Sequence, residues 1–194
     1  MDKNINLIVA VCNNNGIGIN NTLPWKVSSD LKKFRILTQG KGNNAIIMGK
    51  NTWNSIGSKP LAKRDNLILS TSLEIDETFG ELSNGESSNG ELTNGELSTS
   101  NIVKSFKNID DLKDFYNSKN YDELWIIGGE KVYKLFMDNK LVNNLYITYI
   151  DYDFECTTFF PKIDTTIYKF SSQNIHNSNN KYDYDIFDRL YQKI

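Results

Sequence analysis

Residues 124–136 read Leu-Trp-Ile-Ile-Gly-Gly-Glu-Lys-Val-Tyr-Lys-Leu-Phe, an apolar run broken by Gly128-Gly129 and followed by helical spacing. Leu124–Gly128 has the length of a buried strand, while Val132, Leu135 and Phe136 fall on one face of a helix over Glu130–Met137. A strand that ends on glycines and opens into a helix is half of a βαβ unit. Ala45-Ile46-Ile47-Met48 repeats the arrangement, continuously apolar as in a sheet buried on both faces, then Gly49 and a helix over Lys50–Ile56.

The same alternation covers most of the chain. Strands are expected at Asn6–Val11, Asn44–Gly49, Asn66–Ser70, Asn101–Ser105, Leu124–Gly128, Asn144–Ile150, Ile167–His176 and Tyr182–Tyr191. Further helices are expected at Ser28–Thr38, where Leu31, Phe34 and Thr38 share a face with Val27, and at Ile109–Asn117. Asn177–Asn180 is a hairpin signal, so the last two strands should pair antiparallel. The fold class is α/β, with a mostly parallel sheet of eight strands, an antiparallel C-terminal strand and about four helices.

Length and composition bound the function. A chain of 194 residues, 39% apolar and 24% charged, suits one domain over 1–194 with a sizeable core. The formal charge of −2 gives no pull toward nucleic acid or an anionic membrane. No stretch approaches the roughly 18 apolar residues of a membrane span, and Leu7–Cys12 is too short for a signal sequence. A cytoplasmic monomer is the expectation. Cys12 and Cys156 form no metal or disulfide spacing and read as small apolar packing residues. A low-complexity insertion is expected at about 77–100, where Asn84, Asn89 and Asn94 with Glu81, Glu86, Glu91 and Glu96 keep a period of five. It is expected to be dispensable.

In open α/β sheets, ligands bind beyond the carboxyl ends of the strands. Four apolar runs lead there into small or polar residues: Asn13–Gly18, Gly49–Thr52, Ser70–Ser72 and Gly128–Lys131. Glycines let a backbone approach a ligand, and helix starts hold phosphates. Lys50, Lys131, Thr52, Ser70, Thr71 and Ser72 would suit a phosphorylated nucleotide, although no G-x-G-x-x-G fingerprint is present. On the first helix, Asp30 sits in the opening turn with Leu31 and Phe34 beside it. Helix-dipole compensation is the ordinary role of such a residue. The functional reading is a carboxylate among apolar side chains, holding a flat, nitrogen-rich ring by hydrogen bonds. His176, the single histidine, is expected to be structural. With no triad, zinc site or carboxylate pair, a cofactor should carry the reactivity.

These pieces in this order resemble dihydrofolate reductase, from Asn6 to Leu190 apart from the insertion. Gly18 with Leu23-Pro24-Trp25 looks like that family's active-site loop, and Asp30-Leu31-x-x-Phe34 its substrate helix. Ile47-Met48-Gly49-Lys50-Asn51-Thr52-Trp53-x-Ser55-Ile56 resembles its cofactor-binding turn. Pro60-Leu61, Arg64 and Leu67–Ser70 continue the match. Trp125–Gly129 with Val132-Tyr133, Tyr146-Ile147-Thr148 and Thr158-x-Phe160-Pro161 complete it.

The resemblance implies a three-layer fold and reduction of dihydrofolate by hydride from NADPH, with antifolates as further ligands. Asp30 would hold the pterin's amino group and ring N–H, Thr148 would support it, and Trp25 would order water nearby. Val9, Ala10, Leu31, Phe34, Ser55, Ile56 and Ile127 would line the substrate cleft. Arg64 would pair with the α-carboxylate of the glutamyl tail. NADPH would lie along Ala10, Ile17 and Gly18, then Gly49, Lys50, Asn51 and Thr52, then Leu69, Ser70 and Thr71. Ile127, Gly128, Gly129, Glu130, Lys131, Val132 and Tyr133 would complete its path. Lys50, Ser70, Thr71 and Lys131 are the candidates for the 2′-phosphate, and the Gly128–Gly129 peptide is expected to be cis. Thr157 stands where bacterial members are often acidic. Two rivals are a pyrimidine-type reductase of riboflavin synthesis, which has no need of Asp30, Arg64 and Leu23-Pro24-Trp25 together, and a folate-binding module without catalysis.

Overall fold

The computed structural model describes residues 3–79, 101–176 and 183–194. The repeat and the Asn177–Asn180 hairpin signal lie outside the described residues. Eleven strands and four α-helices are described: β1 (Ile5–Cys12), β2 (Gly16–Gly18), α1 (Ser28–Gln39), β3 (Ala45–Gly49), α2 (Lys50–Ser55), β4 (Asp65–Leu69), β5 (Asp76–Phe79), β6 (Asn101–Phe106), α3 (Ile109–Ser118), β7 (Leu124–Gly128), α4 (Glu130–Asp138), β8 (Asn144–Ile150), β9 (Thr158–Phe159), β10 (Tyr168–Ile175) and β11 (Ile186–Lys193).

Nine strands form one sheet in the order β10-β11-β8-β1-β7-β3-β4-β6-β5. From β8 to β6 the neighbours run parallel, whereas β11 is antiparallel to both β8 and β10. The sheet therefore has one strand more than the eight expected. The addition is β5, whose Asp-Glu-Thr-Phe sequence has no apolar run because it pairs antiparallel at the edge of the sheet. It takes in positions 77–79, which the composition had grouped with the insertion. Phe79 is the ladder partner of Asn101, so residues 80–100 connect adjacent strand ends. The two-residue β9 and three-residue β2 are too short to carry a pattern, and together make a separate small sheet.

The continuous apolar runs are explained by burial on both faces. Ala45 and Ile47 of β3 pack with Leu7, Leu67 and Ile126 toward α3 and α4. Ile46 and Met48 pack with Ile8, Ile68 and Trp125 toward Phe34 and Leu37 of α1 and Trp53 of α2. Each fully buried aliphatic side chain contributes about 1.5–3 kcal/mol relative to exposure. The result is three layers. The chain leaves β1 toward β3 on one side and returns through β7 to β8 on the other. That reversal opens a crevice beyond the carboxyl end of β1.

Helix α1 departs from its expected face. Thr38 is its buried residue and Phe34 packs against the core, but Leu31 is 59% exposed. In α4 the buried set is Val132, Tyr133, Phe136 and Met137, with Leu135 only half-buried. The His176 position follows β10 rather than lying within it.

Candidate active site

Asp30, in the first turn of α1, meets the sheet through Thr148. The Thr148 hydroxyl donates to Asp30 Oδ1 at 2.6 Å. Thr148 is fully buried on β8, paired in register with Ala10 of β1 and Asp188 of β11. A hollow of about 300 Å³ opens beside Asp30, lined by Leu23, Trp25, Lys26, Val27, Ser28 and Leu31. Leu31 is exposed because it borders this hollow instead of entering the core. Trp25 is buried, and its indole Nε1 has no hydrogen-bond partner among the described residues. Buried donors are nearly always satisfied, so this N–H is directed at something the described residues do not supply.

Sequence reasoning missed the groups behind Thr148. Lys33 Nζ donates to Thr148 Oγ1 at 2.6 Å and pairs with Asp188. Asp188 also contacts His176 Nδ1 at 3.0 and 3.1 Å, and His176 Nε2 lies 2.8 Å from Ser29 Oγ. Lys33 was legible in principle, one helical turn beyond Asp30 on the same face. Asp188 and His176 come from distant strands, and no local pattern announces them. His176 is buried, as a structural residue should be, but its partners tie it to the cleft.

The loop after β1 is pinned from below. Gly18 O accepts from the Thr157 amide at 2.9 Å and from the Thr158 hydroxyl at 2.9 Å. The side chain at 157 is exposed, and its backbone N–H makes the tie. Gly16 is required by crowding: a Cβ there would stand 2.6 Å from Cys156 Sγ and 2.8 Å from Cys12 Sγ. The two cysteines, distant in sequence, lie with their sulfurs 3.7 Å apart, both reduced. Burial, then the contact with Cys12, pushes the Cys156 thiol pKa up, which keeps it an unreactive neutral group.

At the neighbouring strand ends, Gly128–Gly129 is a cis peptide, and Gly128 takes φ 124°, a conformation that side chains disfavour. A Cβ at Gly49 would sit 3.1 Å from Val132 Cγ2. Tyr133 is buried and donates to Ile8 O at 2.9 Å; burial, then the nearby Asp30, pushes its pKa up, so it stays a donor. Lys50 Nζ donates to Ser72 Oγ at 3.0 Å, and the Ser72 amide reaches Ser70 Oγ at 3.3 Å. Of the hydroxyls at Ser70, Thr71 and Ser72 named from the sequence, Ser72 is the one that meets Lys50. Thr71 is exposed, and no hydrogen bond or ion pair joins Lys131 to this group among the described residues.

The two faces of the sheet sort the remaining candidates. Phe34, Ile56 and Ile127 pack on the α1–α2 face, and Ile17, Leu69, Val132 and Tyr133 on the α3–α4 face. The side chain of Val9 belongs to the α3–α4 face, so it offers the α1 cleft its backbone. Ala10 is half-buried beside Cys12 and Trp25. Ser55 Oγ donates to Thr52 O at 2.7 Å, while Asn51 and Glu130 are exposed in the first turns of their helices. Arg64 is buried, donating to Thr38 Oγ1 and to Ala62 O, with its guanidinium carbon 5.9 Å from the Phe34 ring centroid.

An open α/β sheet with a carboxylate-bearing cleft on one face of its central strand ends, and glycine-lined ends on the other, defines the class of α/β proteins that bind ligands at their strand ends. The sequence model described as dihydrofolate reductase matches residues 4–84 and 88–193. The chain is 35% identical to the dihydrofolate reductase of Gallus gallus, over 86% of this chain and 82% of that protein. It is also 35% identical to that of Drosophila melanogaster, over 81% and 79%. The solved dihydrofolate reductase of Enterococcus faecalis, complexed with NADP(H) and RAB-propyl, aligns with TM-score 0.70 at 23% identity, covering 100% of this chain and 98% of that one. The chain belongs to the dihydrofolate reductase family.

Proposed function

We propose that this chain reduces 7,8-dihydrofolate to tetrahydrofolate with NADPH. The observation that carries the reading is the Asp30–Thr148 pair, a carboxylate and a hydroxyl held 2.6 Å apart at the edge of an apolar hollow. Such a pair suits a ring that presents an amino group and an adjacent N–H, because one carboxylate can accept from both. Leu31 and Phe34 flank the ring's faces, and the free Trp25 N–H orders water beside the carboxylate. The proton reaches pterin N5 through that water, since Asp30 grips the opposite side of the ring.

The residues at the strand ends fit a phosphorylated dinucleotide. Gly49 and Gly128 leave room for close approach, and Lys50 with Ser70 and Ser72 offers a cation and hydroxyls to a phosphate. NADPH, when bound, supplies hydride to pterin C6. Lys50 recognises the 2′-phosphate as a point charge, with less directional demand than an arginine fork. Antifolates that present a protonated aminopyrimidine edge would bind Asp30 in the same way. No helix among the described residues is long and apolar enough to cross a membrane; a cytoplasmic monomer folded as one domain over 1–194 completes the proposal.

Asp30→Asn tests the reading. Turnover at neutral pH should fall by about a hundredfold, the scale of losing a charged hydrogen-bond acceptor that the ring needs. Activity should recover in part as pH falls, because more substrate arrives already protonated, and NADPH affinity should hold. Wild-type turnover by the variant at neutral pH would remove Asp30 from the mechanism.

A further inference from the structure

Resting on that reading, we propose that Lys33 is a positioning residue for the pterin site. It fixes the direction of the Thr148 hydroxyl, and is itself held by Asp188 and His176. The Thr148 hydroxyl has one proton to give. Thr148 Oγ1 has three polar neighbours: Lys33 Nζ at 2.6 Å, Asp30 Oδ1 at 2.6 Å and Asp188 Oδ1 at 3.4 Å. An ammonium can only donate, so Thr148 accepts from Lys33. Its single proton is then left to one of two carboxylates, and the shorter contact assigns it to Asp30.

Asp188 does not compete, because other donors occupy it. Its carboxylate pairs with Lys33 and takes both close contacts from His176 Nδ1. His176 Nε2 returns to Ser29, the residue before Asp30, and closes the circuit. The circuit spans α1, β8, β11 and the residue after β10, so it locks the first turn of α1 onto the sheet. Lys33 has 22% of its side chain exposed, which leaves the pair shielded more than a surface ion pair. A hydroxyl that accepts from an ammonium is a stronger donor to its own acceptor. Asp30 therefore meets the ring with one oxygen already oriented, and less is lost in ordering it on binding.

A structural role alone would weaken every ligand together, whereas a positioning role should separate them. In the full-length chain, Lys33→Met keeps the apolar stem and removes the ammonium. KM for dihydrofolate should rise about tenfold, the scale of one charge-assisted hydrogen bond, while KM for NADPH stays within about twofold. Lys33→Arg should bring KM for dihydrofolate back to within about threefold of wild type, since it restores a cationic donor. Asp188→Asn should raise the same KM by releasing Lys33. An unchanged KM for dihydrofolate in Lys33→Met would overturn the proposal, as would a parallel loss of both substrates. Failure of the underlying reading would look different: the wild-type chain itself would not turn over dihydrofolate.

Discussion

Arg64 is a charged residue at 4% exposure, held between the Thr38 hydroxyl and the Ala62 carbonyl. Burial, then repulsion from Arg35, lowers its guanidinium pKa to about 10. Among the described residues this desolvated cation has no carboxylate partner, which is costly in the free chain and favourable once an anion arrives. A glutamyl α-carboxylate would be such an anion. Arg64→Met should weaken dihydrofolate binding about a hundredfold, as loss of one partner of a buried charge pair does. A dihydropterin without the glutamyl tail should bind both proteins alike. Equal losses for the two ligands would mean that Arg64 shapes the cleft instead of meeting the tail.

At the scale of elements, the decisive feature is the edge hairpin. Because Phe79 and Asn101 are ladder partners, the two described ends beside residues 80–100 already stand where a short turn could join them. Replacing 80–100 by a two-residue Asn-Gly turn should leave NADPH affinity within about twofold and the melting temperature within a few degrees. Lost NADPH binding in a folded variant would show that the repeat serves the cofactor side. The hairpin also marks where sequence reading stops. Leu124–Gly128 and its helix were legible because their apolar residues repeat locally, and β8 was legible to the residue. The Asp-Glu-Thr-Phe of β5 was not, since an edge strand needs backbone pairing more than an apolar side. Asp30, Arg64 and the Gly128–Gly129 turn could be named because their motifs are short and contiguous. Lys33 escaped notice because its meaning depends on Asp188, brought beside it only by the pairing of β8 with β11. Leu31 was placed on a packed face because periodicity reports which residues align, not whether anything lies opposite them.

For the whole molecule, sheet order determines what can react with what. The strand sequence reverses around β1, so the ends of β8, β1, β7 and β3 form one floor. One wall of that floor carries Asp30 and Thr148, and the other carries Val132, Tyr133 and the cis Gly128–Gly129 peptide. Two ligands entering from these sides would meet over Ala10, which fits direct transfer between them better than either ligand alone. The formal charge of −2 leaves this geometry, and the local cation at Lys50, to decide cofactor choice. The most direct measurement is the fall in NADPH absorbance with purified protein, with and without dihydrofolate, repeated with NADH. Oxidation should require dihydrofolate and run faster with NADPH than with NADH. Both ligands bound without turnover would contradict it, and would make the chain a folate-binding module on a reductase fold.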